Sequence, residues 1–124
     1  MRALTVIAEM GTGGAESVVA DLAGHLVAAG HEACVASNGG WRTDELAASG
    51  VRNLSVPLRV SSPARLGATV ARLRRETAAR PVDVVHAHNV RAGVAAHLGT
   101  RAGRRSRPPL VTTCLLYTSD AADE

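Results

Sequence analysis

A glycine-rich stretch, Gly11-Thr12-Gly13-Gly14, separates an apolar run from a helical pattern near the amino terminus. Glycine lacks Cβ, so the chain can turn tightly there and a ligand can approach the backbone closely. The first amides of the following helix have no partner inside it and carry the positive end of its dipole. This arrangement favours a bound phosphate, with Gly13 and Gly14 as the candidate residues. A tight strand-to-helix turn without a ligand is the alternative interpretation.

The residues around these glycines argue against two common nucleotide-binding fingerprints. A dinucleotide motif requires a third glycine where Glu16 stands, and an acidic residue at the end of the second strand, where Ser37 and Asn38 stand. A P-loop requires Gly-Lys-Ser/Thr, which does not follow. A carboxylate in the first turn of a helix stabilises the helix through its dipole, as Glu16 would here. The same negative charge would repel a phosphate, so we expect the Glu16 carboxylate to turn away from the ligand.

A second set of candidate residues, His86, His88 and Asn89, follows a buried apolar run. Residues two apart on a strand point to the same face, so the two imidazoles should be neighbours. We interpret His88, nearer the carboxyl end, as the candidate catalytic residue, and His86, Asn89 and Glu16 as further residues of the cleft. An ordinary strand-end pair is the alternative. No Cys or acid has the spacing to complete a metal site, so no metal is expected.

The elements that must position these residues alternate along the chain as βαβαβαβαβ. The predicted strands cover residues 3–8, 32–37, 51–56, 82–87 and 109–113, and the predicted helices cover 15–29, 43–48, 63–79 and 91–101. This order predicts an α/β, Rossmann-like parallel sheet with helices on both faces. Ligands bind such sheets at the carboxyl ends of the strands, here the ends of strands one and four.

Composition limits the class of protein. All fourteen basic residues are Arg, the formal charge is +3, and there is one Trp and one Tyr. Two isolated cysteines do not form a disulfide framework and, with no secretory signal or membrane span visible, favour a cytoplasmic location. The scarcity of aromatic residues argues against a nucleic-acid partner. An Arg-rich module for anionic surfaces and a stand-alone phospholigand-binding Rossmann domain remain alternative functions.

Several runs in order along residues 3–114 resemble the amino-terminal domain of family 4 glycosyltransferases. These runs are Gly13-Gly14-Ala15-Glu16, Leu22-Ala23, Leu26, Gly30-His31-Glu32, Leu46-Ala47-Ala48-Ser49-Gly50-Val51, Pro57-Leu58, Asp83-Val84-Val85-His86-Ala87-His88-Asn89 and Pro109-Leu110-Val111-Thr112-Thr113.

The resemblance implies a GT-B enzyme with two Rossmann-like domains, which transfers a sugar from a nucleotide-sugar donor with retention of configuration. It implies that the amides of Gly13 and Gly14 contact the donor diphosphate and that His88 lies beside the reacting sugar. The nucleotide-sugar is then a co-substrate, and no cofactor is expected. The acceptor is a carbohydrate or a lipid-linked molecule, which would bring peripheral contact with the inner face of a membrane.

The resemblance ends after the fifth strand, where the family usually continues with His-Gly. Residues 114–124 are instead similar to a translated sequencing adapter, so we expect them to be a non-native tail. On this interpretation residues 1–113 are an incomplete amino-terminal domain that lacks its nucleotide-binding partner domain. We therefore expect no transferase activity from the chain alone, and poor solubility because the fifth strand leaves an apolar edge.

Overall fold

Strands and helices alternate along residues 1–58, 62–103 and 107–113, which a computed structural model describes. The strands are β1 (Arg2–Val6), β2 (Glu32–Ser37), β3 (Arg52–Ser55), β4 (Val84–His88) and β5 (Leu110–Thr113). The helices are α1 (Gly14–Ala28), α2 (Arg42–Ala48), α3 (Pro63–Ala79) and α4 (Val90–Thr100). The strands pair in parallel in the order β3-β2-β1-β4-β5, which confirms the predicted α/β, Rossmann-like sheet.

Two strands differ most from the predicted boundaries: β1 ends two residues earlier than expected, and β4 begins two residues later and includes His88. Pro81 has no amide hydrogen to give to a ladder. Asp83 accepts the amide of Arg2 through its side chain at 2.7 Å, so regular pairing begins only at Val84. Strand β4 also ends one residue later than predicted, which places His88 on the sheet itself rather than beyond it.

Local residue types set the ends of the helices. The Ser62 hydroxyl accepts the amide hydrogen of Arg65 at 3.1 Å and caps the amino end of α3. Gly30 follows α1 with φ of +92°, and Gly50 follows α2 with φ of +87°, both in the left-handed region that glycine tolerates. These two glycines end α1 and α2 and set the directions in which the chain returns to the sheet.

The core lies in two layers, one on each face of the sheet. Leu4 and Val6 of β1 pack on the face covered by α3 and α4. Ala33 and Val35 of β2 pack on the opposite face, covered by α1 and α2. Because successive strand residues point to opposite faces, one sheet supplies both layers. Helices therefore cover both faces of the sheet, as predicted, and the carboxyl ends of the strands lie between the two helical layers.

Strand β5 is the outermost strand on its side of the described sheet, as expected. Val111 on this strand is 51% exposed. An exposed apolar edge strand can pair with other chains, so poor solubility stays a prediction. The expected non-native tail, residues 114–124, and residues 104–106, between α4 and β5, lie outside the described residues.

Candidate functional site

The two predicted site segments meet at the carboxyl edge of the sheet. Strands β1 and β4 are neighbours in register, with Val6 opposite Ala87, so the glycine loop and His88 leave the sheet side by side. Thr113, at the end of β5, lies opposite His88. Together these ends form a cavity of about 250 Å³. Its lining consists of Ile7, Ala8, Glu9, Ala15, Glu16, His88, Asn89 and Thr113.

His88 is the buried polar residue of this cavity, with only 3% of its surface exposed. Neither of its ring nitrogens has a hydrogen-bond partner among the described residues. Leaving such groups unpaired in a folded protein costs about 1–3 kcal/mol, so buried polar groups without partners are rare. An imidazole held in this way can accept and donate hydrogen bonds to a molecule that enters the cavity.

His86 lies beside His88, with ring centroids 4.2 Å apart and ring planes at 41°. The two side chains thus share a face, as their spacing predicted. His86 does not line the cavity; its Nε2 is hydrogen-bonded to the Thr113 hydroxyl at 2.7 Å. This contact ties β4 to the end of β5 underneath His88, which makes His86 a support for the catalytic candidate.

Burial lowers the pKa of both imidazoles below the ordinary value. For His86 the cause is desolvation of the charged form. For His88 desolvation is the larger cause, and repulsion from a charged His86 lowers its pKa further. Both rings are therefore neutral near pH 7, and His88 offers one donor and one acceptor rather than a positive charge.

Asn89, directly after His88, has a strained backbone. Its φ of 83° and ψ of 171° fall in a region that is essentially restricted to glycine, at a cost of about 1–3 kcal/mol. The residue is held from two sides: its side-chain oxygen accepts the Ala92 amide at 3.0 Å, and its own amide donates to the Thr113 carbonyl at 2.9 Å. Asn89 lines the cavity and also caps α4, a role that its position before the helix could have indicated.

The glycine loop presents Gly13 and Gly14 at the start of α1. Gly13 is the N-cap, in an extended conformation and with no side chain to cap the helix. The space where Gly14 would carry a Cβ is open, with nothing within 4 Å. At Gly13, by contrast, atoms of the Glu16 carboxylate lie within 3.0 Å of the same position. A side chain could not be added at Gly13 unless Glu16 moved.

The expected orientation of Glu16 is therefore wrong. Its carboxylate does not turn away but folds back over Gly13, at the amino end of α1, and lines the cavity with His88. The physical reason is electrostatic, because a carboxylate in the first turn is attracted to the positive end of the helix dipole. The phosphate-binding interpretation applies best to the open side, at Gly14.

The glycine loop is held by residues that the sequence reasoning did not identify, Trp41 and Arg42. Arg42 donates through Nε to the Gly11 carbonyl and through Nη2 to the Ser17 hydroxyl, both at 2.8 Å. The Trp41 indole N–H donates to the Thr12 hydroxyl at 2.9 Å. No local signal links these residues to the loop; the link arises because β2 lies beside β1 and their loops meet.

The sequence of the chain matches a known protein family over most of its length. The sequence model described as Glycosyltransferase Family 4 matches residues 12–114, a span that includes Gly13, Gly14, His86 and His88. The chain belongs to glycosyltransferase family 4. The resemblance seen in the sequence is thereby confirmed.

Two solved glycosyltransferases share the fold of this glycosyltransferase domain. A crystal structure of a glycosyltransferase from Rickettsia africae ESF-5 aligns with a TM-score of 0.72 and 15% identity, over 98% of this chain and 32% of that one. The glycotransferase of kitacinnamycin aligns with a TM-score of 0.64 and 15% identity, again over 98% and 32%. The chain thus spans about a third of the length of both. No curated protein sequence matches it significantly.

The described residues contain neither a membrane-spanning helix nor a metal-binding cluster. Within residues 1–58, 62–103 and 107–113, no helix is both long and apolar enough to cross a membrane. In the same ranges, no cluster of three or more His, Cys, Asp or Glu side chains is arranged to hold a metal ion. The cavity offers a ligand the carboxylates of Glu9 and Glu16 and the neutral imidazole of His88.

Proposed function

We propose that this domain is the acceptor-side half of a GT-B glycosyltransferase that moves a sugar from a nucleotide-diphosphate sugar to an acceptor with retention of configuration. The observation that carries the proposal is His88: a buried, neutral imidazole with both nitrogens unpaired among the described residues, facing a cavity beside the glycine loop. Such a group recognises hydroxyl groups of a sugar by hydrogen bonding.

The glycine loop supplies the second part of the proposed site. The open space at Gly14 lets a phosphate oxygen approach the first amides of α1, where the dipole is positive. As the bond from the sugar to the diphosphate breaks, negative charge grows on the leaving phosphate. Fixed amides stabilise that charge without reorganising, which is the main way in which such donors accelerate a reaction.

The carboxylate of Glu16 makes one side of the proposed site an acceptor of hydrogen bonds, whereas the amides on the side of Gly14 are donors. It lies over Gly13 and lines the cavity that contains His88. A carboxylate accepts hydrogen bonds from hydroxyl groups but repels phosphate. We therefore assign the side at Gly14 to the diphosphate and the side at Glu16 and His88 to sugar hydroxyls, with Asn89 and His86 positioning His88.

The test compares His88→Gln with the control His97→Gln in the longest protein that the locus encodes. His97 lies exposed on α4, away from the cavity. Transfer from a panel of UDP- and GDP-sugars is followed, and the anomeric configuration of the product is read by NMR. We expect the His88 variant to lose about 10²-fold or more in kcat/KM, as when one transition-state hydrogen bond is removed. Equal activity of both variants, or inversion of configuration, would contradict the proposal.

A phospholigand-binding domain without transfer chemistry is the second candidate, favoured by the open space beside Gly14 at the amino end of α1. The locus distinguishes the two candidates. A reading frame that continues past Thr113 into a second Rossmann-like domain supports the transferase, and the 124-residue chain alone is then expected to turn over no nucleotide-sugar. Turnover by that chain would refute the expected inactivity. A cytoplasmic location and peripheral membrane contact stay predictions.

A further inference from the structure

Trp41 is the only tryptophan of the chain and is 55% exposed. It stands between the Gly39-Gly40 turn that follows β2 and the first residue of α2. The two core clusters consist of other residues. A large apolar ring in water gives up most of the stabilisation that burial would provide. The described core therefore does not explain why a tryptophan occupies this position.

The indole ring is nevertheless held in one place. Its N–H donates to the Thr12 hydroxyl at 2.9 Å, which fixes its polar edge against the glycine loop. The guanidinium of Arg42 lies 4.4 Å from the ring centroid, which covers one face through a cation–π contact. Arg42 is itself held by hydrogen bonds to Gly11 and Ser17 and by an ion pair with Glu45 at 3.6 Å.

The backbone beneath the ring is also fixed. The Met10 amide donates to the Gly39 carbonyl at 2.8 Å, and the Arg42 amide donates to the Met10 carbonyl at 3.1 Å. Gly40 has φ of +146°, and a Cβ there would lie within 3.0 Å of the Met10 carbonyl. These hydrogen bonds join the turn to Met10, which directly precedes the glycine loop. Trp41 therefore lies at the carboxyl edge of the sheet, across the glycine loop from His88.

We propose that Trp41 is a stacking platform for a ring of the acceptor, and that this ring is a carbohydrate. The inference rests on the proposed transferase function. A pyranose ring presents an apolar face of C–H groups and a rim of hydroxyls. The exposed indole surface matches that apolar face. An aromatic ring that is already immobilised loses little entropy on binding, so stacking on it gains affinity.

The size and polarity of the surface favour a sugar ring over a lipid surface. Trp41 is one ring bordered by the charged Arg42 and the polar Thr12. Membrane or protein partners that bind through apolar contact require a wide contiguous apolar patch. The donor is also a poorer occupant, because the proposed function places its diphosphate at Gly14 and its sugar in the cavity at His88.

The first experiment is a fluorescence titration of the 124-residue protein, in which every tryptophan signal comes from Trp41. The probes are methyl α-glucopyranoside and maltose up to about 0.1 M, since small ligands bind weakly, and separately vesicles of anionic lipid. We expect the sugars to shift the emission and to reduce acrylamide quenching by about twofold, as stacking covers the free face. Unchanged quenching with both sugars, or protection by vesicles alone, would overturn the proposal.

The second experiment separates a platform from a mere brace of the glycine loop, using the longest encoded enzyme. Trp41→Phe keeps a ring but loses the N–H, Thr12→Val keeps the whole indole but loses its partner, and Trp41→Ala loses both. A platform predicts that KM for the acceptor rises most in Trp41→Ala and least in Thr12→Val, with donor KM unchanged. Equal effects of all three variants, or an effect on donor KM alone, would overturn it. If His88→Gln stays fully active, the proposed function fails, and sugar binding at Trp41 is then judged by fluorescence alone.

Discussion

Replacing Asn89 by glycine is expected to leave the domain as stable as it is or to stabilise it. Asn89 holds φ of 83° and ψ of 171°, which costs a non-glycine residue about 1–3 kcal/mol. Glycine adopts this conformation without that strain. Two smaller effects oppose the gain: the lost cap on α4 costs a few tenths of a kcal/mol when glycine is the replacement, and the freer unfolded chain costs about 0.4–1 kcal/mol.

The net expectation for Asn89→Gly is a free energy of unfolding between about zero and 2 kcal/mol above that of the parent. Asn89→Ala is the matched control. It also removes the hydrogen bond from the Ala92 amide, at 3.0 Å, but it keeps the strain. Losing that cap to alanine destabilises by about 0.5–2 kcal/mol. The two variants should therefore differ by about 2 kcal/mol, although both lack the same side-chain oxygen.

The measurement is urea unfolding followed by far-ultraviolet circular dichroism, at low protein concentration and with the slopes compared between variants. If Asn89→Gly is destabilised as much as Asn89→Ala, the side chain matters more than the backbone and the strain argument is refuted. The strain also predicts a functional cost. Asn89 fixes the chain immediately after His88, so the more stable glycine variant is expected to have the lower kcat.

Three further predictions concern the same edge of the sheet. Stability is expected to fall as the pH drops below about 6.5. Burial lowers the pKa of His88 in the folded state, so the unfolded state takes up a proton that the folded state does not. Urea midpoints at about pH 7.5 and about pH 5.5 measure this loss. Gly40→Ala is expected to destabilise by more than about 2 kcal/mol, because a Cβ would meet a backbone carbonyl and the residue has φ of +146°. Arg42→Met is expected to speed amide hydrogen exchange in residues 11–17, since the side chain holds that segment by two hydrogen bonds of 2.8 Å.

Each of these predictions has a control. His88→Gln should reduce the pH dependence to the part that His86 contributes, and an unchanged slope would show that His88 does not cause it. Gly67→Ala, in an open position of α3, should stabilise by about 0.5–1 kcal/mol, so equal losses at both glycines would contradict the steric argument. Arg65→Met, on the exposed side of α3, should leave exchange in residues 11–17 unchanged.

Local signals in the sequence predicted most of the fold. Capping by Ser62 and chain reversal at Gly30 and Gly50 act within a few residues, so they can be recognised without knowing the fold. The alternation of strands and helices then restricts the sheet to a parallel one. The same pattern predicted that the segment after β1 and the end of β4 lie side by side, and in the structure Glu16 and His88 line one cavity.

The boundaries of β4 and the orientation of Glu16 were predicted wrongly for a shared reason. The start of β4 depends on a bond from Asp83 to Arg2, far away in the sequence. The position of the Glu16 carboxylate over Gly13 depends on the balance between helix-dipole attraction and the space available at the loop. Neither quantity is visible in a local pattern.

The sequence by itself determined the order of the elements, the class of fold and the segments that carry the site, because capping, turns and hydrophobic periodicity are short-range effects. Only the tertiary structure decided how those segments meet. The sheet order brought Trp41 to Thr12 and His86 to Thr113, and it left Asn89 strained between α4 and β5. Trp41 and Thr12 are 29 positions apart and His86 and Thr113 are 27 apart, so these contacts follow from strand pairing rather than from any local preference.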